Sequence, residues 1–350
     1  MVKPVRIGEH KVGPGLPCLL VAEAGVNHNG SLEMALRLVD AAADAGADVV
    51  KFQTFKSEEV VTPEAPMAAY QIQNTGRTES QLEMIRKLEL RDDAFCAIRD
   101  HCRERGILFL STPFDYYSAD LLHGMGVAAF KIASGEITNH PLLVHIARKA
   151  KPLIVSTGMS DLEEVANAVE VLHAAGNSQL VLLHCVSNYP ASPASVNLRA
   201  MKTLEERFSV PVGYSDHTEG TAIPLAAAAM GACVLEKHFT LNRTLPGPDH
   251  RASLEPPELA DLVRGVRDVQ AALGDGIKRP AEEERNTAAV ARRSLVAAHD
   301  LRAGTVLTEG MVVIRRPGTG LTPDHLHRIL GRQLRRDVAA GSMFTLEMLM

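Results

Sequence analysis

Short apolar runs recur along the chain at residues 18–22, 48–52, 107–110, 128–132, 153–155, 180–183, 210–212 and 233–235. Between the first two, Ser31 precedes Leu32, Ala35, Leu36 and Val39, an apolar stripe at helical spacing that stops at Gly46. After the fifth run, Ser160 and Glu163 form a capping-box pair ahead of Leu162, Val165, Ala166 and Val169, with Gly176 beyond the end. The pattern predicts a repeated strand-helix unit.

Eight such units predict a closed (β/α)8 barrel of the TIM type over residues 1–275, in preference to an open doubly wound sheet. No strand-to-helix turn carries the glycine fingerprint of a dinucleotide site. Residues 276–292 turn charged and irregular, with Lys278, Arg279, Pro280 and Glu282 to Arg285, and are expected to be a linker. A small module of short strands and tight Gly turns is expected over 293–350.

Composition narrows the partners. A 46% hydrophobic, 23% charged chain can bury a core, and a net charge of −5 offers no basic face to nucleic acid or acidic lipid. Any anion site must therefore be local. Five scattered cysteines lack the close pairs of a zinc site or a small disulfide scaffold, which points to a reducing cytoplasm. The N-terminus has no apolar signal core, and the uncharged stretch Gly220 to Leu235 falls short of the ~20 residues of a membrane span, so neither export nor insertion is expected.

In a barrel the residues just past each strand line the catalytic mouth. Here they are all polar: Glu23; Lys51 and Gln53; Ser111 and Thr112; Lys131, Ser134 and Glu136; Ser156 and Thr157; Ser187; Ser215 and His217; Glu236 and His238. Taken singly, each Ser or Thr reads as a turn or helix cap, but their common placement speaks for a site. Two lysines among hydroxyls suit a dianionic phosphate, since ammonium groups supply charge and hydroxyls supply directed hydrogen bonds. Ser156-Thr-Gly also precedes a helix, whose N-terminal dipole would favour an anion. His217 and His238 leave neighbouring strands and can share a divalent metal, with Asp249 or Glu23 acting through bound water; such a donor set suits manganese.

Seven segments carry a resemblance: Ala22-Glu-Ala-Gly-Val-Asn-His-Asn-Gly, Val50-Lys-Phe-Gln-Thr-Phe, Ser111-Thr-Pro-Phe-Asp, Lys131-Ile-Ala-Ser-Gly-Glu, Ser156-Thr-Gly-Met, Tyr214-Ser-Asp-His-Thr and Gly247-Pro-Asp-His. Together they resemble the sialic acid synthases, which carry a TIM barrel followed by an antifreeze-like (SAF) domain. The resemblance implies a condensation of phosphoenolpyruvate with N-acetylmannosamine and water, by carbon–oxygen cleavage, to N-acetylneuraminic acid and phosphate. It implies phosphoenolpyruvate contacts from Lys51, Thr112, Lys131, Ser134, Ser156, Ser187 and Ser215. It implies sugar contacts from Gln53, Tyr189, Asp249 and Arg316, and a metal on His217 and His238. Manganese leads magnesium and cobalt as the metal. Glu23, Glu136 and Asp249 are the carboxylates for proton transfer, Glu136 first. Arg316 would act from the partner's C-terminal domain in a domain-swapped homodimer.

Other acceptors within the family are N-acetylmannosamine 6-phosphate and a 2,4-diacetamido-trideoxyhexose on the way to legionaminic or pseudaminic acid. The runs beginning at Asn74 and Asp249 look nearer the neuraminate and legionaminate branches. Two readings compete from outside the family: a Schiff-base aldolase using Lys51 or Lys131, and a sugar- or ice-binding protein suggested by the tail alone.

Overall fold

The computed structural model describes every residue except Met1, Ala69, Tyr70, Gln73, Thr75, Arg77 and Thr78; the last three belong to the Asn74 run and so lie outside the described residues. The chain divides into two compact units, Met1–Gly274 and Asp275–Met350. The first opens with an antiparallel hairpin of β1 (Val5–Ile7) and β2 (His10–Val12). Eight parallel strands follow: β3 (Leu19–Gly25), β4 (Val49–Thr54), β5 (Leu108–Pro113), β6 (Phe130–Ile132), β7 (Leu153–Ser156), β8 (Leu180–Cys185), β9 (Val212–Asp216) and β10 (Val234–His238). The last pairs with the first, His238 opposite Glu23, which wraps the sheet into a barrel. One seam, between the neighbouring β5 and β6, carries no hydrogen-bonded register.

Side chains on a strand alternate between faces, and the alternation explains both core and mouth. Outward residues such as Leu20, Val50, Phe109, Leu153 and Leu182 pack under the helices. Inward residues Leu19, Val21, Val49, Leu110, Ala129, Ile154, Val181, Leu183 and Val234 fill the lower barrel. Continuing two residues along each strand, the same inner face turns polar: Glu23, Lys51, Thr112, Lys131, Ser156, Glu236 and His238. Most of the strands therefore run further than their apolar runs suggested, β6 excepted, and these side chains sit on rigid sheet.

The hairpin was not foreseen, because three-residue strands leave too little alternation to read. Val5, Ile7 and Val12 pack into the inward cluster and close the barrel's lower end.

Helix Leu32–Asp44 begins where expected, with Ser31 accepting from the Met34 N–H at 3.2 Å. The helix after β7 corrects the sequence reading. It spans Leu162–Ala174, and its capping box is Asp161 with Glu164, one residue later than the Ser160 and Glu163 expected. Leu162 is exposed, and Val165, Ala168, Val169 and Leu172 form the buried face. Asp161 accepts from the backbone N–H groups of Glu163 and Glu164, so this helix end is satisfied locally and does not serve Ser156. Among the described residues no helix is long and apolar enough to cross a membrane.

In the second unit, the expected linker contains a helix, Glu284–Ala291. Beyond it β11 (Ser294–Ala297) pairs antiparallel with β12 (Val312–Arg315), around a core that includes Leu295, Leu301, Leu307, Ile329, Leu334 and Phe344.

Candidate active site

Four buried charges occupy the inner face where β3, β4, β6 and β10 emerge. The Lys51 ammonium lies 2.7 Å from Glu23 Oε2, 3.7 Å from Glu236 Oε2 and donates to Thr112 Oγ1 at 3.1 Å. Lys131 donates to Ser156 Oγ at 2.7 Å and lies 3.6 Å from Glu236 Oε1. Glu236 also accepts from Ser215 Oγ at 3.0 Å. Burial pushes the Glu23 carboxyl up to about 7 against the pull of Lys51, with Glu236 adding to the rise. Burial acts on Glu236 too, but Lys131, Lys51 and the Ser215 hydroxyl outweigh it and hold that carboxyl below its ordinary range. Burial lowers Lys131 while Glu236 resists. A site with two cations, one firm carboxylate and one that titrates near neutrality can take up an anion and still move a proton.

These groups line a cavity of about 640 Å3, with Gln53, Ser134, Ser187, Asn188 and Tyr189 along its walls. Ser134 accepts from the Gly158 N–H at 3.0 Å. The glycine is needed there: a Cβ on residue 158 would meet Ser187 Oγ at 2.3 Å and Ser134 Oγ at 2.8 Å. Gln53 Nε2 donates to Glu23 Oε1 at 3.4 Å.

His217 and His238 reach the same cavity, ring centroids 5.4 Å apart, with Tyr189 at 4.1 Å from the first and 5.5 Å from the second. His217 Nδ1 is 2.8 Å from the Val186 carbonyl; donation there leaves Nε2 as a lone-pair donor, the usual arrangement behind a metal-binding imidazole. His238 Nδ1 is buried without a hydrogen-bond partner, and burial with His217 alongside holds this ring well below the ordinary histidine range, hence neutral. The pair fits a divalent metal. Among the described residues no group of three or more His, Cys, Asp or Glu side chains could hold one, so further donors would come from substrate and water.

Not every expected residue converges. Asp249 is buried at the start of the turn His250–Ala252 and lines an adjoining cavity with Gln53 and Tyr189; burial raises its carboxyl to about 6, with His217 opposing. Glu136 sits in the short turn Ser134–Glu136 outside the cavity lining and accepts from Asn139 Nδ2 at 2.8 Å. Arg316 is exposed just past β12. Conversely, Glu236 stood among the strand-end residues without a role, and it is the group that joins both lysines. The alternation from Val234 through Glu236 to His238 would have placed it. Cys185, on the same face of β8 and 3.7 Å from His217 Nδ1, also went unassigned.

A (β/α)8 barrel with lysines, hydroxyls and paired imidazoles gathered at the carboxyl ends of its strands has the layout of a barrel enzyme's active site. The NeuB family profile matches residues 38–278 and the SAF domain profile matches residues 292–350. The N,N'-diacetyllegionaminic acid synthase of Legionella pneumophila is 47% identical over 94% of each chain. The enzyme of the same name from Campylobacter jejuni is 48% identical over 90% of this chain and 95% of its own. The crystal structure of the N-acetylneuraminic acid (sialic acid) synthetase of Leptospira borgpetersenii superposes with a TM-score of 0.72 at 36% identity, covering 82% of this chain and 95% of that one. The chain belongs to the NeuB family and is an enzyme of the sialic acid synthase type.

Proposed function

We propose that the barrel mouth condenses phosphoenolpyruvate with the open-chain aldehyde of an N-acetylated amino sugar and water, giving a nine-carbon 2-keto acid and inorganic phosphate. The observation that carries this is the pair of buried lysines, each with a hydroxyl partner, beside two imidazoles. Lys51 and Lys131 take the phosphate and carboxylate charges, and Thr112, Ser134, Ser156, Ser187 and Ser215 complete the hydrogen bonds. Carbon 3 of phosphoenolpyruvate bonds to the aldehyde carbon, water adds at carbon 2, and phosphate leaves with the bridging oxygen. His217 and His238 would hold a divalent metal, manganese first and magnesium or cobalt next, which would supply Lewis-acid polarisation of the aldehyde. Glu23 accepts a proton from the water, since its raised affinity lets it cycle near neutral pH; this moves the first choice from Glu136 to Glu23.

The acceptor is a 2,4-diacetamido-2,4,6-trideoxyhexose, supported by the names of the two relatives at 47% and 48% identity. N-acetylmannosamine, first in the sequence reading, becomes second, supported by the name of the Leptospira structure. The same reading takes the protein as a homodimer in which Arg316 meets the N-acetyl group across subunits.

The test is phosphate release from phosphoenolpyruvate labelled with oxygen-18 at the bridging position, after chelation and after manganese is restored. Manganese-dependent release of labelled phosphate with the diacetamido sugar supports the reading. Unlabelled phosphate, or release indifferent to chelation, sinks it, and borohydride trapping of Lys51 or Lys131 would favour the Schiff-base aldolase.

A further inference from the structure

The cavity over the lysines adjoins a smaller lobe that no step of the condensation uses. Its volume is about 200 Å3, below the roughly 300–1,000 Å3 of a complete small-molecule site, so it suits a substituent and not a whole sugar. Gln53, Gln71, Gln81, Phe114 and Tyr189 line both spaces and form their common wall.

Behind that wall, Asp249 apart, the described lining is apolar. Val26, Phe55 and Leu88 form a buried cluster against which Val60, Ile85 and Phe114 pack. Phe55 and Phe114 meet edge to face at 6.3 Å between ring centroids. Among the described residues the lining holds no Lys or Arg, and Asp249 is its one charged side chain. A hydroxymethyl group set against Phe55, Ile85 and Leu88 would lose hydrogen bonds to water that these side chains cannot replace. A phosphate would face the Asp249 carboxylate with no Lys or Arg among the described lining residues to offset it. A methyl group would lose nothing and gain contact with leucine, isoleucine and phenylalanine.

We infer that this lobe reads carbon 6 of the acceptor: it receives the methyl of a 6-deoxy sugar, and Ile85, Leu88 and Phe114 set the preference over 6-hydroxy and 6-phospho sugars. The inference rests on the condensation proposed above and adds the residues that choose among its acceptors. Ile85 is half-buried on helix Gln81–Arg86, so a polar replacement there can reach the lobe without opening the barrel core.

The experiment compares kcat/KM for 2,4-diacetamido-2,4,6-trideoxymannose and for its 6-hydroxy counterpart in the full chain. The wild type should prefer the 6-deoxy sugar by about 10- to 100-fold, the range a hydrophobic pocket achieves for such a difference. Ile85→Gln and Phe114→Leu should each bring that ratio toward one while the KM for phosphoenolpyruvate holds. Saturation-transfer NMR with phosphoenolpyruvate present should mark the C6 methyl as the most strongly contacted group, and Ile85→Gln should weaken that signal. Equal turnover of both sugars by the wild type would leave the condensation standing and overturn the lobe's role. So would an unchanged ratio in both variants, or a loss shared equally by both sugars with a changed KM for phosphoenolpyruvate. No turnover of any acetamido sugar would overturn the function and the inference together.

Discussion

Glu236 Oε1 lies 3.6 Å from the Lys131 ammonium, near enough to share charge and too far to hold a hydrogen bond. The lysine's short bond goes to Ser156 instead, which leaves donor capacity for an incoming anion while Glu236 keeps the buried ammonium charged.

Removing that carboxylate should leave Lys131 without a compensating charge. Glu236→Gln is expected to cost about 3 kcal/mol of stability, the scale of breaking a buried ion pair from one side. Saturating phosphoenolpyruvate should narrow the gap, because the ligand restores negative charge to the same place. Thermal melts of both proteins with and without the ligand check this; a gap that the ligand does not change would argue against an anion site here.

Lys131→Met removes one charge-assisted partner of the anion. Affinity for phosphoenolpyruvate should fall about 10- to 100-fold, as expected for a lost hydrogen bond to a charged group. Titration calorimetry on the folded variant measures it, and unchanged binding would move the anion elsewhere.

Gly158→Ala adds a single methyl group where Ser187 Oγ would be 2.3 Å away. Both serines must turn aside, so the KM for phosphoenolpyruvate should rise by about 10-fold, on the order of one neutral hydrogen bond, while the melting temperature changes little. A variant with wild-type kinetics would show that neither hydroxyl touches substrate.

His28 is buried, with Nδ1 accepting from the Gly30 N–H at 3.0 Å and Nε2 without a partner. Burial, and secondarily His250, push it from 6.5 down to about 4. Because the unfolded chain takes the proton first, the stability owed to neutral His28 is present above about pH 6.5 and lost as pH falls toward 4. Between pH 7 and pH 5 the wild type should lose about 2 kcal/mol more than His28→Gln, at 1.36 kcal/mol per pH unit. Urea unfolding at the two pH values gives the comparison; parallel losses would show that His28 is protonated in the fold.

Sequence showed the barrel because eight apolar runs alternate with helical stripes, and it showed Lys51, Lys131, Ser156, His217 and His238 because polar residues directly after such runs are exceptional. Glu236 gained no role because the eighth strand was ended at Leu235, where hydrophobicity stops but hydrogen bonding to β3 continues to His238. Glu136 fails to join the cavity because the chain leaves β6 at Ile132 and turns through Ser134–Glu136, a path that periodicity does not encode. The cap on Leu162–Ala174 slipped by one residue because Ser160 and Asp161 are both good caps, and only the backbone chooses between them.

The inward side chains that fill the lower barrel, with the hairpin of β1 and β2 packed beneath them, make the barrel a vessel with one opening. Nothing can pass through from below, so under the proposed condensation the substrate on the lysines must enter before the sugar. By the same proposal the phosphate would leave after the keto acid. Binding and release should follow a fixed order, last in and first out, imposed by the packed interior that lies beneath the lysines.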